Sequence, residues 1–237
     1  MKKVEKIKKI PKKRNKQKIS LRSKKNITFN IVTAFPNLFD CFIKESLIKK
    51  AMEKKILKIN IINLREYGIG KHKKIDDTIY GGGAGMLLRP DVINRAIRKV
   101  TNSYKIALSP KGEQYTQKTA KELTSRKNIT LICGRYEGFD TRTLKEMDKV
   151  ITIGPYITMG GEIPAMVIIE SVSRLIQGVL GNIESIKEES FTDEGYLEYP
   201  LYTKPYNYKG KKVPKILLSG NHKKIKEWRN RHKKKIN

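Results

Sequence analysis

Cysteine is nearly absent from this chain: Cys41 and Cys133 are the only two among 237 residues, and no Cys-x-x-Cys occurs. That excludes a disulfide framework and fits a reducing compartment. The three histidines, His72, His222 and His232, stand too far apart for metal-ligand spacing, so no metal site is expected. Long apolar runs are missing too. The best candidate, Ile163 to Ile176, is interrupted by Glu170, Ser171, Ser173 and Arg174 and falls short of the roughly 18 residues a membrane span needs. No membrane partner is expected. Acids are scarce: 23 Asp and Glu face 52 Lys and Arg, a net charge of +29. Residues 1 to 25 carry thirteen bases against one acid, and residues 222 to 237 carry eight against one. Such an imbalance attracts a polyanion, nucleic acid first of all, although a lysine-rich compositional bias leaves the same signature. The N-terminal stretch has no apolar segment of the kind that directs secretion. It reads as a basic, disordered extension over 1–26 of a cytoplasmic protein.

What is present, from residue 27 onward, is an alternation of β-rich runs and helical stretches. Ile27 to Ala34, Lys58 to Leu64, Tyr104 to Leu108, Asn128 to Cys133 and Lys149 to Ile153 are near-continuous apolar runs, as in strands covered on both faces. Leu38 to Lys54, Pro90 to Val100, Gln117 to Leu123 and Asp140 to Met147 read as helices, with Pro90 suited to a first helical position. A further helix begins near Glu162. This predicts an α/β domain with a mostly parallel sheet over 27–177. The stretch 178–213 is rich in Gly, Pro, Tyr and acids and reads as a linker. Ser219 or Asn221 could cap a last basic helix, which places a small helical domain over 214–237.

Glycine is missing where a dinucleotide fold needs it. The turn after the first strand is Phe35-Pro36-Asn37-Leu38-Phe39. The loop Gly81-Gly82-Gly83-Ala84-Gly85-Met86 is not followed by Gly-Lys-Ser or Gly-Lys-Thr, which argues against an ATP-binding loop. Glycines gather instead in Gly134-Arg135-Tyr136-Glu137-Gly138 and from Gly154 to Gly161, each just after a predicted strand, with Leu108-Ser109-Pro110 after another. Ligands of open α/β sheets sit at such carboxyl ends, where glycine lets backbone approach closely. A tight turn is the bland alternative for any one of these loops.

Six segments, taken together, resemble the bacterial tRNA (guanine-N1)-methyltransferase family of the SPOUT superfamily. They are Ile75 to Met86, Leu108 to Pro110, Cys133 to Gly138, Gly160 to Glu162, Ser171 to Arg174 and Leu217 to His222, in that family's order and spacing. The resemblance implies a C-terminal trefoil knot near residues 130 to 165, one of the rare exceptions to unknotted topology. It implies an obligate homodimer with sites built from both subunits, and a tRNA substrate whose guanine just 3′ of the anticodon is methylated. S-adenosylmethionine would be the cofactor, held around Leu108, Ser109 and Pro110, around Gly134, Tyr136 and Glu137, and along Ile153, Gly154, Tyr156, Ile157, Thr158 and Gly160. Activity in the family is associated with magnesium. Lys71, His72, Asp77, Ser219, Asn221, His222 and Lys223 fall on motifs that would meet RNA.

Guanine N1 carries a proton at neutral pH, so its methylation asks for a base at N1 and a cation for the charge gathering on O6. Arg174 is the candidate cation, because its helical neighbours are apolar and a guanidinium there needs an acidic partner or an anion. An ion pair with Glu170, four residues back, is the structural alternative. Glu189 is the candidate base, with Glu188 next. The family carries Asp-Ser-Phe where this chain has Glu189-Ser190-Phe191. Other departures are Gly70 for a usual Asp, Ile79 for a usual Pro, Pro155 for a usual Asp, one extra residue within Thr192 to Glu198, and a tail that ends soon after Trp228. Two rival readings are a knotted methyltransferase acting on another RNA and a non-catalytic RNA-binding relative.

Overall fold

A computed structural model describes residues 26–181, 189–191 and 195–235. Five parallel strands form its centre in the order β2-β1-β6-β5-β7. They are β1 (Ile27–Thr33), β2 (Leu57–Asn63), β5 (Tyr104–Gln114), β6 (Asn128–Cys133) and β7 (Lys149–Thr152). Successive side chains of a strand point to opposite faces. Ile31 and Leu131 accordingly enter one core with Ile106, while the next residues, Val32, Ile132 and Ala107, enter the other. Both faces are covered, which is why the strands read as continuous apolar runs.

On the first face lie α1 (Asp40–Lys44), α2 (Ser46–Glu53), α4 (Gln117–Leu123) and α6 (Glu162–Ser173), contributing Ile48, Ala120 and Ile168. The second face is covered by α3 (Pro90–Ile97) and α5 (Thr141–Leu144). Asn30 is the one polar side chain of β1 that reaches across to both neighbouring strands of the sheet. It accepts from Asn60 at 2.8 Å and donates to Asn128 at 2.6 Å, so its burial is matched by hydrogen bonds.

Several elements differ from the sequence reading. The helix expected over Leu38–Lys54 is a single 3-10 turn (Pro36–Phe39) followed by two short helices, because Glu45 is extended and Ser46 has φ +58°. Asp140 to Met147 contracts to α5, with Asp140 outside as the cap accepting from the Arg142 N–H. Strand β5 does not stop at Leu108. Its register against β7 jumps between Leu108 and Glu113, so Ser109 to Gly112 bulge out before pairing resumes. The segment around the glycine-rich loop forms a hairpin of β3 (Asp76–Thr78) and β4 (Met86–Leu88). Between 196 and 212 lie β8 (Tyr196–Leu197), β9 (Asn207–Tyr208) and β10 (Lys211–Lys212), the last two paired as a hairpin. Asn221 caps α7 (His222–His232), and β11 (Lys234–Lys235) pairs with β8. Among the described residues no helix is long and apolar enough to cross a membrane.

Candidate active site

The register jump in β5 opens the sheet at its carboxyl end. There, three loops converge: 109–111 from the bulge, 134–138 after β6 and 153–161 after β7. They enclose a cavity of about 260 Å³. Leu108, Ile151, Ile153 and Pro164 give it apolar walls, while Gly134, Gly160 and Gly161 leave backbone where side chains would stand. The glycines are sterically required. A Cβ on Gly134 would lie 2.8 Å from the Leu108 carbonyl oxygen, and one on Gly161 would lie 2.6 Å from Cys133 Cα. The Gly161 N–H donates to the Gly134 carbonyl at 2.8 Å, stitching two of the loops together.

Sequence-predicted residues largely assemble here. Leu108, Ser109, Pro110, Gly134, Tyr136, Glu137, Ile153, Tyr156, Ile157, Thr158 and Gly160 all line the cavity. Gly154 does not: it is buried behind the wall, where its carbonyl accepts from the Thr152 hydroxyl at 2.9 Å. The sequence reading missed Lys111, Arg135, Gly138, Ile151, Thr152, Met159, Gly161 and Pro164, which also line it. Arg135 and Gly161 sat inside motifs already singled out, so their positions in those runs were the available signal.

Tyr136 has φ +57°, a left-handed conformation that costs a non-glycine residue roughly 1–2 kcal/mol. Hairpin contacts hold it there: the Glu137 N–H donates to Met86 at 3.0 Å and the Leu88 N–H to Gly138 at 3.0 Å. Gly85, at φ +92°, lies so close to Glu137 that a Cβ would overlap its carboxylate end. The glycine-rich loop thus serves to bring β4 against the Glu137 loop. Below the cavity, burial together with the Glu162 charge pushes the Cys133 thiol well above its ordinary range, so it stays protonated and inert.

A second constellation lies apart from this cavity. Arg174 follows α6 as its C-cap and meets Glu189 through two parallel hydrogen bonds, both 2.7 Å. Such a fork is the strong form of an ion pair, and the Glu189 bonds raise the Arg174 guanidinium above its ordinary value. The pairing is with Glu189 and not with Glu170. Glu189 is steadied through its neighbours: Ser190 accepts from the Glu198 N–H at 2.9 Å, and the Phe191 N–H donates to Tyr196 at 2.9 Å. Glu188 lies outside the described residues. Arg174 borders a separate groove with Phe42, Leu47 and Glu170, so one chain does not bring this pair to the glycine-lined cavity.

The residues predicted to meet RNA are scattered. Lys71 and His72 are exposed in the loop before β3. Asp77 is engaged structurally: hydrogen bonds from Lys74 and the Thr78 backbone, with Arg89 at 2.7 Å, hold its carboxyl below the usual range. Ser219, Asn221, His222 and Lys223 are exposed around the start of α7. Trp228 stacks on His232 at 4.1 Å, with Tyr202 6.4 Å away. Among the described residues, no group of three or more His, Cys, Asp or Glu is placed to hold a metal ion.

A parallel α/β sheet with a glycine-walled cavity at its carboxyl ends places the chain among α/β proteins built to take a small ligand at that edge of the sheet. Residues 27–236 match the family tRNA (Guanine-1)-methyltransferase TrmD, and the chain belongs to that family. Its relatives include the tRNA (guanine-N(1)-)-methyltransferase of Metamycoplasma arthritidis, 52% identical over 84% of this chain and 87% of the relative. That of Thermus thermophilus is 43% identical over 85% and 84%. That of Clostridioides difficile is 46% identical over 85% and 90%.

Proposed function

We propose that this protein is a cytoplasmic tRNA methyltransferase that moves a methyl group from S-adenosylmethionine to N1 of a guanine just 3′ of the anticodon. The observation that carries the reading is the cavity, lined by eleven of the twelve positions at which the family motifs would place the cofactor. Its residues suit a nucleoside bearing a sulfonium: apolar walls, glycine backbone for close approach, and the Glu137 carboxylate in the lining. Bound there, the cofactor supplies an already activated methyl carbon, so the protein's task is alignment and proton removal.

Glu189 takes the N1 proton and Arg174 balances the charge that gathers on O6. Two of the roughly four lone-pair sites of the Glu189 carboxylate are used by Arg174, which leaves room for an N1–H donor. The pair lies outside the cavity of its own chain, which supports a homodimer in which it serves the partner's cavity. Helix α6 supports the same reading. It is apolar around its circumference, yet Ile163 and Val167 remain 57% and 39% exposed, as a face awaiting a partner would. The chain crosses from β6 over β5 to β7 before α6 returns to β6 and β1, a path compatible with the family's trefoil knot. In this division residues 27–177 form the knotted methyltransferase domain, 178–213 link it, and the basic 214–237 domain grips the tRNA, with 1–26 as an electrostatic arm. Magnesium has no assigned place in these steps.

The test is a tRNA carrying Gly-Gly at the target, labelled S-adenosylmethionine and a nucleoside digest. The reading requires 1-methylguanosine. A 2′-O-methylated sugar or no product would overturn it.

A further inference from the structure

Arg135 is a charged residue of the cavity wall that the motif chemistry leaves without a task, and it is held from several sides. Its Nε stands 2.9 Å from Oε2 of Glu162, a carboxylate only 1% exposed. Their N–H and oxygen are not aligned as a hydrogen bond, so charge attraction holds them. The other Glu162 oxygen accepts from the Thr33 hydroxyl at 2.7 Å, at the end of β1. Arg135 also donates from a terminal nitrogen to the Met159 carbonyl at 3.3 Å and lies 4.2 Å over the Phe35 ring, with Arg65 5.6 Å from the same ring. One guanidinium therefore touches the turn after β1, the loop before α6 and the first residue of α6 while itself belonging to the loop after β6.

We propose that Arg135 is a positioning residue for methyl transfer, tying the Met159–Gly161 wall to the Gly134–Gly138 wall through Glu162 so that the cofactor cavity is shaped before a ligand enters. The glycines on the other side make the same point. A Cβ on Gly160 would overlap both the Arg135 Nε and the Glu162 carboxylate, so the wall is packed against the pair itself. Glu162 sits at the start of α6, where the helix dipole favours an anion, and this anchors the pair on the helix. Lysine would retain the charge facing Glu162, but it has neither the planar face for Phe35 nor a second nitrogen for Met159. The inference rests on the cavity being the cofactor site.

The experiment compares the full-length wild type with Arg135→Lys and Gly160→Ala in three readouts: S-adenosylhomocysteine affinity by calorimetry, unliganded melting temperature, and tRNA affinity. Since misplacement of a wall by a fraction of an ångström propagates into ligand alignment, Arg135→Lys should weaken S-adenosylhomocysteine binding about tenfold and raise KM for the donor, with tRNA affinity unchanged. Gly160→Ala crowds the pair without removing a charge and should do the same, which keeps the test open where Arg135→Lys does not fold. Wild-type affinity in a folded Arg135→Lys, or equal losses of both ligands in step with melting temperature, would overturn the proposal. Failure of the wild type itself to bind S-adenosylhomocysteine would sink the cofactor reading instead.

Discussion

Leu108, Ile151 and Gly134 build a cavity inside one chain from buried strand ends, whereas Arg174 and Glu189 meet outside it, half in solvent, on a segment fastened to the C-terminal strand pair. The first region is set by sterics: its glycines have no room for a Cβ, and its loops are stitched by backbone hydrogen bonds. The second is set by charge and depends on a short stretch of chain for its placement. A shaped, apolar cavity can bind a small ligand before RNA arrives. A half-buried carboxylate–guanidinium pair can exchange partners when a base is offered, because water and substrate reach it. The two regions therefore suit cofactor binding and proton handling respectively.

Mutation can separate the two tasks. Glu189→Gln and Arg174→Ala should each lower single-turnover methyl transfer by about 10²–10⁴-fold, the usual worth of general acid–base and charge-stabilising groups. S-adenosylhomocysteine affinity should stay at the wild-type value in both. Loss of that affinity would show that the pair helps build the cavity. Next in size, Gly161→Ala drives a Cβ into the Cys133 backbone and should destabilise the fold by about 1–3 kcal/mol in a denaturant titration while weakening the cofactor analogue.

Tyr115 gives a pH test of the same frame. Its hydroxyl meets Ser171 of α6 at 2.6 Å, and burial pushes the phenol up to about 12 from 10.0. The folded chain thus holds this proton more tightly than the unfolded one. Its contribution is complete below pH about 10 and disappears as pH rises toward 12, amounting to at most about 3 kcal/mol. Stability against denaturant should fall less steeply between these pH values in Tyr115→Phe; parallel curves would show the phenol to be irrelevant. The smallest effect belongs to the basic tail. Replacing Lys223 and Lys224 by Ala should flatten the plot of log tRNA affinity against log salt by roughly one unit for each phosphate no longer neutralised, with cofactor affinity unchanged.

The sheet was legible because both faces of β1, β6 and β5 are covered, so apolar residues run without alternation. Helix α4 was legible in full, since Thr116 caps it by accepting from the Thr119 N–H. The break at Glu45–Ser46 left no trace, because Leu47, Ile48 and Ala51 continue the apolar spacing of the residues before it. Extension of β5 past Pro110 was hidden for a related reason: it arises from a bulge against β7, a non-local pairing that no local pattern announces. In the site, residues whose role is backbone approach were readable as glycines. Arg135 was not, because its meaning comes from Glu162, Thr33 and Phe35, which are remote or unremarked in the chain. Arg174 and Glu189 could be chosen by chemistry and family motif, but their direct fork required the fold to bring residue 189 back to the end of α6.

Mixing two inactive variants tests most directly whether one chain's Arg–Glu pair serves another's cavity. Ser109→Trp fills the cavity from its rim, and Glu189→Gln removes the carboxylate proposed as base; each alone should leave tRNA methylation at least about 10²-fold below wild type. After subunit exchange, half of randomly paired dimers would carry one intact site, so activity should return to about a quarter of the wild-type value per chain. No recovery in a mixture shown to have exchanged subunits would contradict the shared site.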